Sequence, residues 1–397
     1  MNNTILVINC GSSSIKFSVT DPQAGSHLLT GLAENLGTST ARLKWKGSST
    51  GERSLHGGDH TAALKGMVEL LEELKLNCVG IGHRVVHGGE HFSGACPVND
   101  DSLEALKDHI HLAPLHNPVN LLGIEAAKAA FPDLPQVMVF DTSFHQTMPK
   151  QAYLYALPYE LYKEHGIRRY GFHGTSHRYV SEEAARLLEK PLSETALVTA
   201  HLGNGCSAAA ILGGKSVDTT MGLTPLEGLV MGTRSGDVDP SVHKYLGSRL
   251  HMSPQEISDM LNKQSGLLGL SGQTNDMREL LELEASGDTQ AAIAVEVFCY
   301  RLAKAIASLV VGLGRLDAVI FTGGIGENSV EVRERTLNLL PFLGLTVDPE
   351  INATHGKGLN GRISTSTSPC AMVVKTDEEL VIARDTMKVM SEDEIEH

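Results

Sequence analysis

The stretch TILVINCGSSSIKFSVT, residues 4–20, decides the fold. It opens with a β-branched apolar run, passes through a tip of glycine and serines, and returns from residue 15 with apolar and polar residues alternating. That pattern predicts a β-hairpin with a polar tip. The same outline recurs at residues 196–212, ALVTAHLGNGCSAAAIL, roughly 190 positions later. Two hairpins so far apart predict an internal duplication, with one hairpin in each of two domains.

Working outward, residues 60–75 have helical spacing, and VGIGHRVV at 79–86 is a strand closed by His87, Gly88 and Gly89. Residues 118–130 form a second helix, and QVMVFDT at 136–142 is a strand that ends in Asp141. RYGFHGTSH at 169–177 leads into a helix running to about residue 189, for which Thr175 or Ser176 can serve as N-cap. Residues 291–312 form a long helix, and DAVIFT at 317–322 is a buried strand. A glycine loop at 323–329 then opens the next helix, the arrangement in which anions bind. A strand at 371–376 and a closing helix at 377–390 complete the chain. The expected domains are residues 1–149 with 382–397, and residues 150–381.

With 397 residues, 41% of them hydrophobic, the chain can bury more than one core. Lys and Arg number 33 against 47 acidic residues, a net charge of −14 that repels nucleic acid and anionic lipid. An anionic substrate must then be captured by a few placed cations and backbone N–H groups. The six cysteines show neither metal nor disulfide spacing, which predicts a reducing, cytoplasmic setting. The chain has no leader-like start and no run of 18 apolar residues, so neither export nor a membrane span is expected.

The first tip offers open backbone N–H groups, the hydroxyls of Ser12 and Ser14, and Lys16, a set suited to phosphate and to magnesium held through water. The tip at 203–207 provides a second phosphate cradle. The glycines at 323–326 lie far from the N-terminal strand, unlike a dinucleotide fingerprint, and suit a ribose and adenine lying on flat backbone with Asn328 as a polar contact. Arg84 and Arg234 sit among glycines, where a guanidinium can grip carboxylate or phosphoryl oxygens with two N–H groups. His83, His87 and His91 imitate a helical metal face, but their neighbours predict strand and turn. His173, in a turn before a helix, can stabilise a transferring phosphoryl group, whereas His177 is expected to be structural. Asp141 can orient an arginine or a metal-bound water, and Glu378 in KTDEEL can reach a metal, with Asp377 and Glu379 as equally charged neighbours.

Taken together, NCGSSSIKF at 9–17, GHRVVHGGE at 82–90, FDTSFH at 140–145, RYGFHGTSH at 169–177, HLGNG at 201–205 and TGGIGEN at 322–328 resemble the acetate kinase family. The resemblance implies the duplicated two-domain α/β fold of the acetate and sugar kinase, Hsp70 and actin superfamily, which is ribonuclease H-like, with the active site in the interdomain cleft. It implies reversible transfer of the ATP γ-phosphate to acetate, giving acetyl phosphate and ADP. Magnesium, or manganese, is the implied metal, and a cytoplasmic homodimer the implied assembly. By resemblance Asp141, Arg84, Arg234 and His173 are catalytic, and Asn9 and Glu378 hold the metal. Lys16, Ser12, Ser14, His201, Leu202, Gly203, Asn204, Gly205, Asp276, Met277, Arg278, Gly324, Ile325, Gly326 and Asn328 contact the nucleotide. Val86, Leu115, Phe172 and Pro225 line the acyl pocket beside Arg84, with Val86 favouring acetate over propionate. A kinase of sugars or longer acids, and an ATP-driven binding switch, are the rival expectations. The apolar pocket residues and the lack of a peptide-binding domain after the ATPase-like part weigh against them.

Overall fold

The computed structural model describes residues 3–114 and 116–393. The chain leaves a first compact unit after Phe144, forms a second, and rejoins the first after Thr376. The expected boundaries lay a few residues further on, at 149 and 381.

The first unit is built on an eight-stranded sheet of β1 (Thr4–Cys10), β2 (Ser14–Asp21), β3 (Ser26–Glu34), β4 (Arg42–Gly47), β5 (Thr50–Ser54), β6 (Cys78–Val85), β7 (Cys96–Pro97) and β8 (Gln136–Phe140). Their order is β5-β4-β3-β2-β1-β6-β8-β7. The second unit carries β9 (Ala196–Leu202), β10 (Cys206–Leu212), β11 (Lys215–Thr219), β12 (Ala318–Thr322), β13 (Gly361–Arg362) and β14 (Cys370–Val373), ordered β11-β10-β9-β12-β14-β13. An antiparallel run, of five strands in the first sheet and three in the second, leads into a parallel trio, β1-β6-β8 in one and β9-β12-β14 in the other. The duplication legible in the two hairpins therefore extends to the order of five strands.

Parallel neighbours need crossover connections, and helices on both faces explain why the central strands are largely apolar. Along β1, Leu6 and Ile8 join Phe17, Leu29 and the helix His60–Glu73, while Ile5 and Val7 pack with Val137, Val139 and the helix Glu378–Asp393. That division follows from the two-residue period of a strand. Gly80 and Gly82 let the last helix approach closely, because a β-carbon at Gly82 would collide with Thr386 and Ile382, and one at Gly80 with Met390. No helix among the described residues is long and apolar enough to cross a membrane.

Three local expectations need correction. The helix after RYGFH begins at Gly174, with His173 as N-cap in a left-handed conformation (φ 55°), so Thr175 and Ser176 lie inside it and cap nothing. The glycine stretch is not a loop: Gly323–Asn328 is itself a short helix, followed by a second, Val330–Asn338, capped by Ser329. The strand through VMVF ends at Phe140, one residue before Asp141. The meander β3 to β5 was not anticipated.

Candidate functional site

In the first unit the hairpin tip is a tight turn, with Gly11 N–H donating to Ser14 O at 2.8 Å. Ser12 is exposed at this tip and Ser14 partly buried. Asn9 and Lys16 face each other across β1 and β2. The Lys16 ammonium lies 2.5 Å from Glu379 Oε1, which ties the start of the last helix to the hairpin. Glu379 is thereby engaged with a cation, and Glu378 is the other acid of that first turn.

Arg84 projects from β6, its Nε donating to Asp141 Oδ1 at 2.9 Å and its Nη2 to Asp141 Oδ2 at 2.6 Å. Asp141 is only 2% exposed. Its carboxylate, followed by those of Glu378 and Glu379, raises the Arg84 pKa well above the usual guanidinium range despite burial, so Arg84 stays cationic. The fork also fixes the guanidinium plane and leaves Nη1 for a ligand.

Beyond β6, the Val86 N–H donates to Asn120 Oδ1 at 3.1 Å, and Asn120 Nδ2 donates to Cys10 O at 3.0 Å. Asn117 grips His87 through both backbone groups, at 3.2 and 2.9 Å. These two amides hold the ends of β1 and β6 in register, and sequence reasoning missed them. Their signal was two asparagines three apart at a helix start. Leu115 lies outside the described residues. His83, His87 and His91 go to different partners, namely Gln136, the Gly89 N–H and the ring of Phe92.

In the second unit the His173 ring stacks on His201 with centroids 4.2 Å apart. His173 Nδ1 is 2.9 Å from Ser207 Oγ, and His201 Nδ1 is 2.8 Å from Ser176 Oγ, which also meets Thr376 Oγ1. A left-handed residue other than glycine is costly and concentrates at functional positions. A β-carbon on Gly205 would stand 3.3 Å from Arg234 Nη1 and 3.6 Å from His173 Nε2, so cation, imidazole and glycine backbone converge. Arg234 makes one long bond to Pro225 O at 3.4 Å, and among the described residues it has no carboxylate within ion-pair distance. Burial lowers its pKa, as expected for a cation lacking a counter-charge. Phe172 is buried, and its carbonyl accepts from His145 Nε2 at 2.9 Å. Pro225 is partly buried.

The same unit holds a cavity of about 810 Å³ lined by Gly203, Asn204, Asp276, Met277, Arg278, Gly324, Ile325 and Asn328, together with Asn275, Leu281, Ser329, Glu331 and Lys357. Eight of the residues expected at the nucleotide are thus gathered in one wall. Leu202 and Gly326 are buried outside that lining. Arg278 donates to Asp276 through Nε and Nη2, and this pairing holds the Asp276 carboxyl down at about 2. Asn328 Nδ2 donates to Gly324 O at 2.9 Å, which steadies the glycine helix. That helix begins differently from the anion site expected of it. Glu327 Oε1 accepts from the N–H groups of Gly323 at 3.0 Å and Thr376 at 3.2 Å, so a carboxylate of the chain itself occupies the first donor.

Arg333, also missed, is fully buried and donates to Gly326 O, Glu327 O, Asn352 O and Asn352 Oδ1. Burial pulls its pKa to about 10, and carbonyls at the end of the glycine helix hold the charge. An arginine on the same helical stripe as Thr336 and Leu337 was the signal.

Burial lowers the pKa of His83 and of His145 to about 4, and that of His177 well below its ordinary value. The unfolded chain binds protons on these groups from about pH 6.5 downward, whereas the folded chain resists until about pH 4, so stability falls with pH across that window. Lowering the pH from 7 to 5 is expected to cost about 2 kcal/mol for each of His83 and His145. Urea midpoints measured across this range, with His83→Gln flattening the slope, check it.

Residues 4–384 match the model of the acetokinase family. The acetate kinase of Chromobacterium violaceum is 55% identical over 392 residues, covering 98% of this chain and 99% of that protein. Among solved structures, a propionate kinase from Francisella tularensis subsp. tularensis SCHU S4 superposes with a TM-score of 0.93 at 48% identity, covering 98% of this chain and 100% of that one. The Porphyromonas gingivalis acetate kinase gives 0.91 at 41% identity, with coverage of 98% and 100%.

Proposed function

The chain belongs to the acetokinase family, and from that premise we propose how its residues transfer the terminal phosphate of ATP to acetate. The reaction is reversible: a carboxylate oxygen forms a bond to the γ-phosphorus while the bond from that phosphorus to the β-bridging oxygen breaks in line. A carboxylate is already ionised at neutral pH, so no general base is needed. The observation that carries the reading is Arg234, a half-buried cation that among the described residues has no carboxylate partner, aimed with His173 at the backbone of Gly205. A cation so placed suits phosphoryl oxygens, whose charge rises during transfer.

Arg84, its fork fixed by Asp141, takes the acetate carboxylate through Nη1, and His173 donates to an equatorial phosphoryl oxygen. His201 and the 203–205 backbone hold the phosphates, and the 810 Å³ cavity takes adenosine. Ser12, Ser14 and Lys16 complete the phosphate contacts. Asn9 and Glu378 are oxygen donors of the kind magnesium accepts alongside waters and phosphates, and manganese can substitute. The Lys16–Glu379 contact supports this pairing, since it brings the helix start that bears Glu378 to the strand opposite Asn9. Bound there, the metal supplies charge neutralisation to the nucleotide. Six free thiols support a cytoplasmic enzyme, and a homodimer is the assembly we expect.

We infer from the family resemblance that Val86 limits the acyl pocket, which makes propionate a poorer substrate than acetate. A methylene is worth ~1–3 kcal/mol in such a pocket, so Val86→Ala should raise the propionate-to-acetate ratio of kcat/KM by about tenfold. The test is trapping of acyl phosphate with hydroxylamine from ATP, Mg²⁺ and a series of two- to four-carbon acids. Hydroxamate from acetate above all others is expected; none from any acid overturns the assignment.

A further inference from the structure

Behind His173 the hydrogen bonds form a chain with a direction. Thr199 Oγ1 lies 2.7 Å from His177 Nδ1, His177 Nε2 lies 2.7 Å from Ser207 Oγ, and Ser207 Oγ lies 2.9 Å from His173 Nδ1. Thr199, His177 and Ser207 are fully buried. A neutral imidazole has one N–H and one lone pair, and a hydroxyl has one proton, so two arrangements make full use of the Ser207 proton, while a third, with Ser207 accepting from both imidazoles, leaves that buried proton without an acceptor among the described residues. In one, every proton points toward His173: the Thr199 hydroxyl donates to His177 Nδ1, His177 Nε2–H to Ser207, and the Ser207 hydroxyl to His173 Nδ1. In the other, every proton points away, and the Thr199 hydroxyl must find a second acceptor. Among the described residues Thr199 Oγ1 has His177 as its one hydrogen-bond partner, so the second arrangement leaves a buried donor unsatisfied.

The geometry points to Thr199, His177 and Ser207 as positioning residues that hold His173 in its Nε2–H tautomer, presenting a neutral N–H donor toward the Gly205 backbone. The inference rests on the reading of His173 as a phosphate-facing group. It adds two properties to that reading, a defined tautomer and a source for it remote from the substrate. Protonating His173 at Nδ1 strands one buried hydroxyl proton, that of Ser207 or, if the whole chain reverses, that of Thr199, so His173 resists becoming imidazolium. The groups that face it act in the same sense. His201 stacks on it from β9, Arg234 approaches from across Gly205, and His177 lies 6.4 Å away on its own helix. His177 cannot readily accept the proton instead, because burial disfavours its charged form and His145 and His201 stand beside it.

The experiment labels histidine nitrogens with ¹⁵N, assigns His173 by loss of its signals in His173→Gln, and titrates the full-length protein. Unlabelled wild-type enzyme is assayed separately for acetate phosphorylation, so that failure of the activity and failure of the tautomer are distinguishable. The expected spectrum shows His173 protonated at Nε2. Thr199→Val, an isosteric loss of the hydroxyl, is expected to mix the two tautomers. It should also move the His173 titration and the acid limb of kcat upward by about one pH unit, with little change in KM for ATP. Thr199→Ser, which keeps the hydroxyl, should retain the wild-type tautomer and limb. A wild-type His173 protonated at Nδ1, or a Thr199→Val protein with an unaltered His173 spectrum and acid limb, overturns the inference. The wild-type spectrum decides the first point even should the valine variant fold poorly.

Discussion

Replacing Arg84 with alanine lowers turnover by about 10³-fold and destabilises the protein by about 3–5 kcal/mol. The second effect follows from Asp141. That carboxylate is 2% exposed and accepts two charge-assisted hydrogen bonds from Arg84. Without the guanidinium it becomes a buried charge with Glu378 and Glu379 nearby, since all three contribute to the field that keeps Arg84 cationic. Removing both partners should therefore return much of the stability while leaving activity lost. Denaturant midpoints of Arg84→Ala, Asp141→Ala and the double variant, set beside initial rates with acetate, separate the two roles. Turnover within tenfold of wild type in Arg84→Ala would remove Arg84 from the reaction.

Arg234→Ala should lose about 10²–10³-fold in kcat, the usual effect of deleting one donor to a developing charge. Its stability should move the other way from that of Arg84→Ala. Arg234 is buried enough for its pKa to fall, yet among the described residues its hydrogen bonds are a 3.4 Å bond to a carbonyl and a remote one to a thioether. Deleting a partly desolvated cation that has no carboxylate partner among the described residues orphans no charge there and relieves a desolvation penalty, so the folded state should be unchanged or more stable. The same contrast predicts that ATP stabilises wild type against heat more than it stabilises the alanine variant. A strongly destabilised Arg234→Ala protein would indicate a structural arginine instead.

Much of this was readable before any coordinates. The hairpins at 4–20 and 196–212 announced the duplication because strand periodicity and small-residue tips are local signals, and the apolar runs VGIG and AVIF marked strands covered on both faces. Arg84, Asp141, His173 and Arg234 stood out through their glycine-rich or strand-end surroundings. What sequence did not disclose were partners set by tertiary contact. Nothing near Asn120 says that it reaches Cys10 O, 110 residues earlier. Glu327 lies in a motif read for its glycines, yet its carboxylate joins Gly323 to Thr376. Thr175 and Ser176 have the right chemistry for an N-cap, and lost that place because His173 adopts a left-handed conformation. His177 was judged structural by its position within a helix. It is buried, but its two nitrogens connect Thr199 to Ser207 and so to His173.

The closing helix has a consequence for synthesis on the ribosome. Its apolar face covers Ile5, Val7, Val137 and Val139, yet it is made only after all 232 intervening positions from 145 to 376. A nascent chain that has already emitted its first sheet must wait with one layer bare while the second unit is translated. Premature termination after Thr376 would therefore yield a protein with an intact second unit and a sticky first one, and such fragments are natural clients for chaperones.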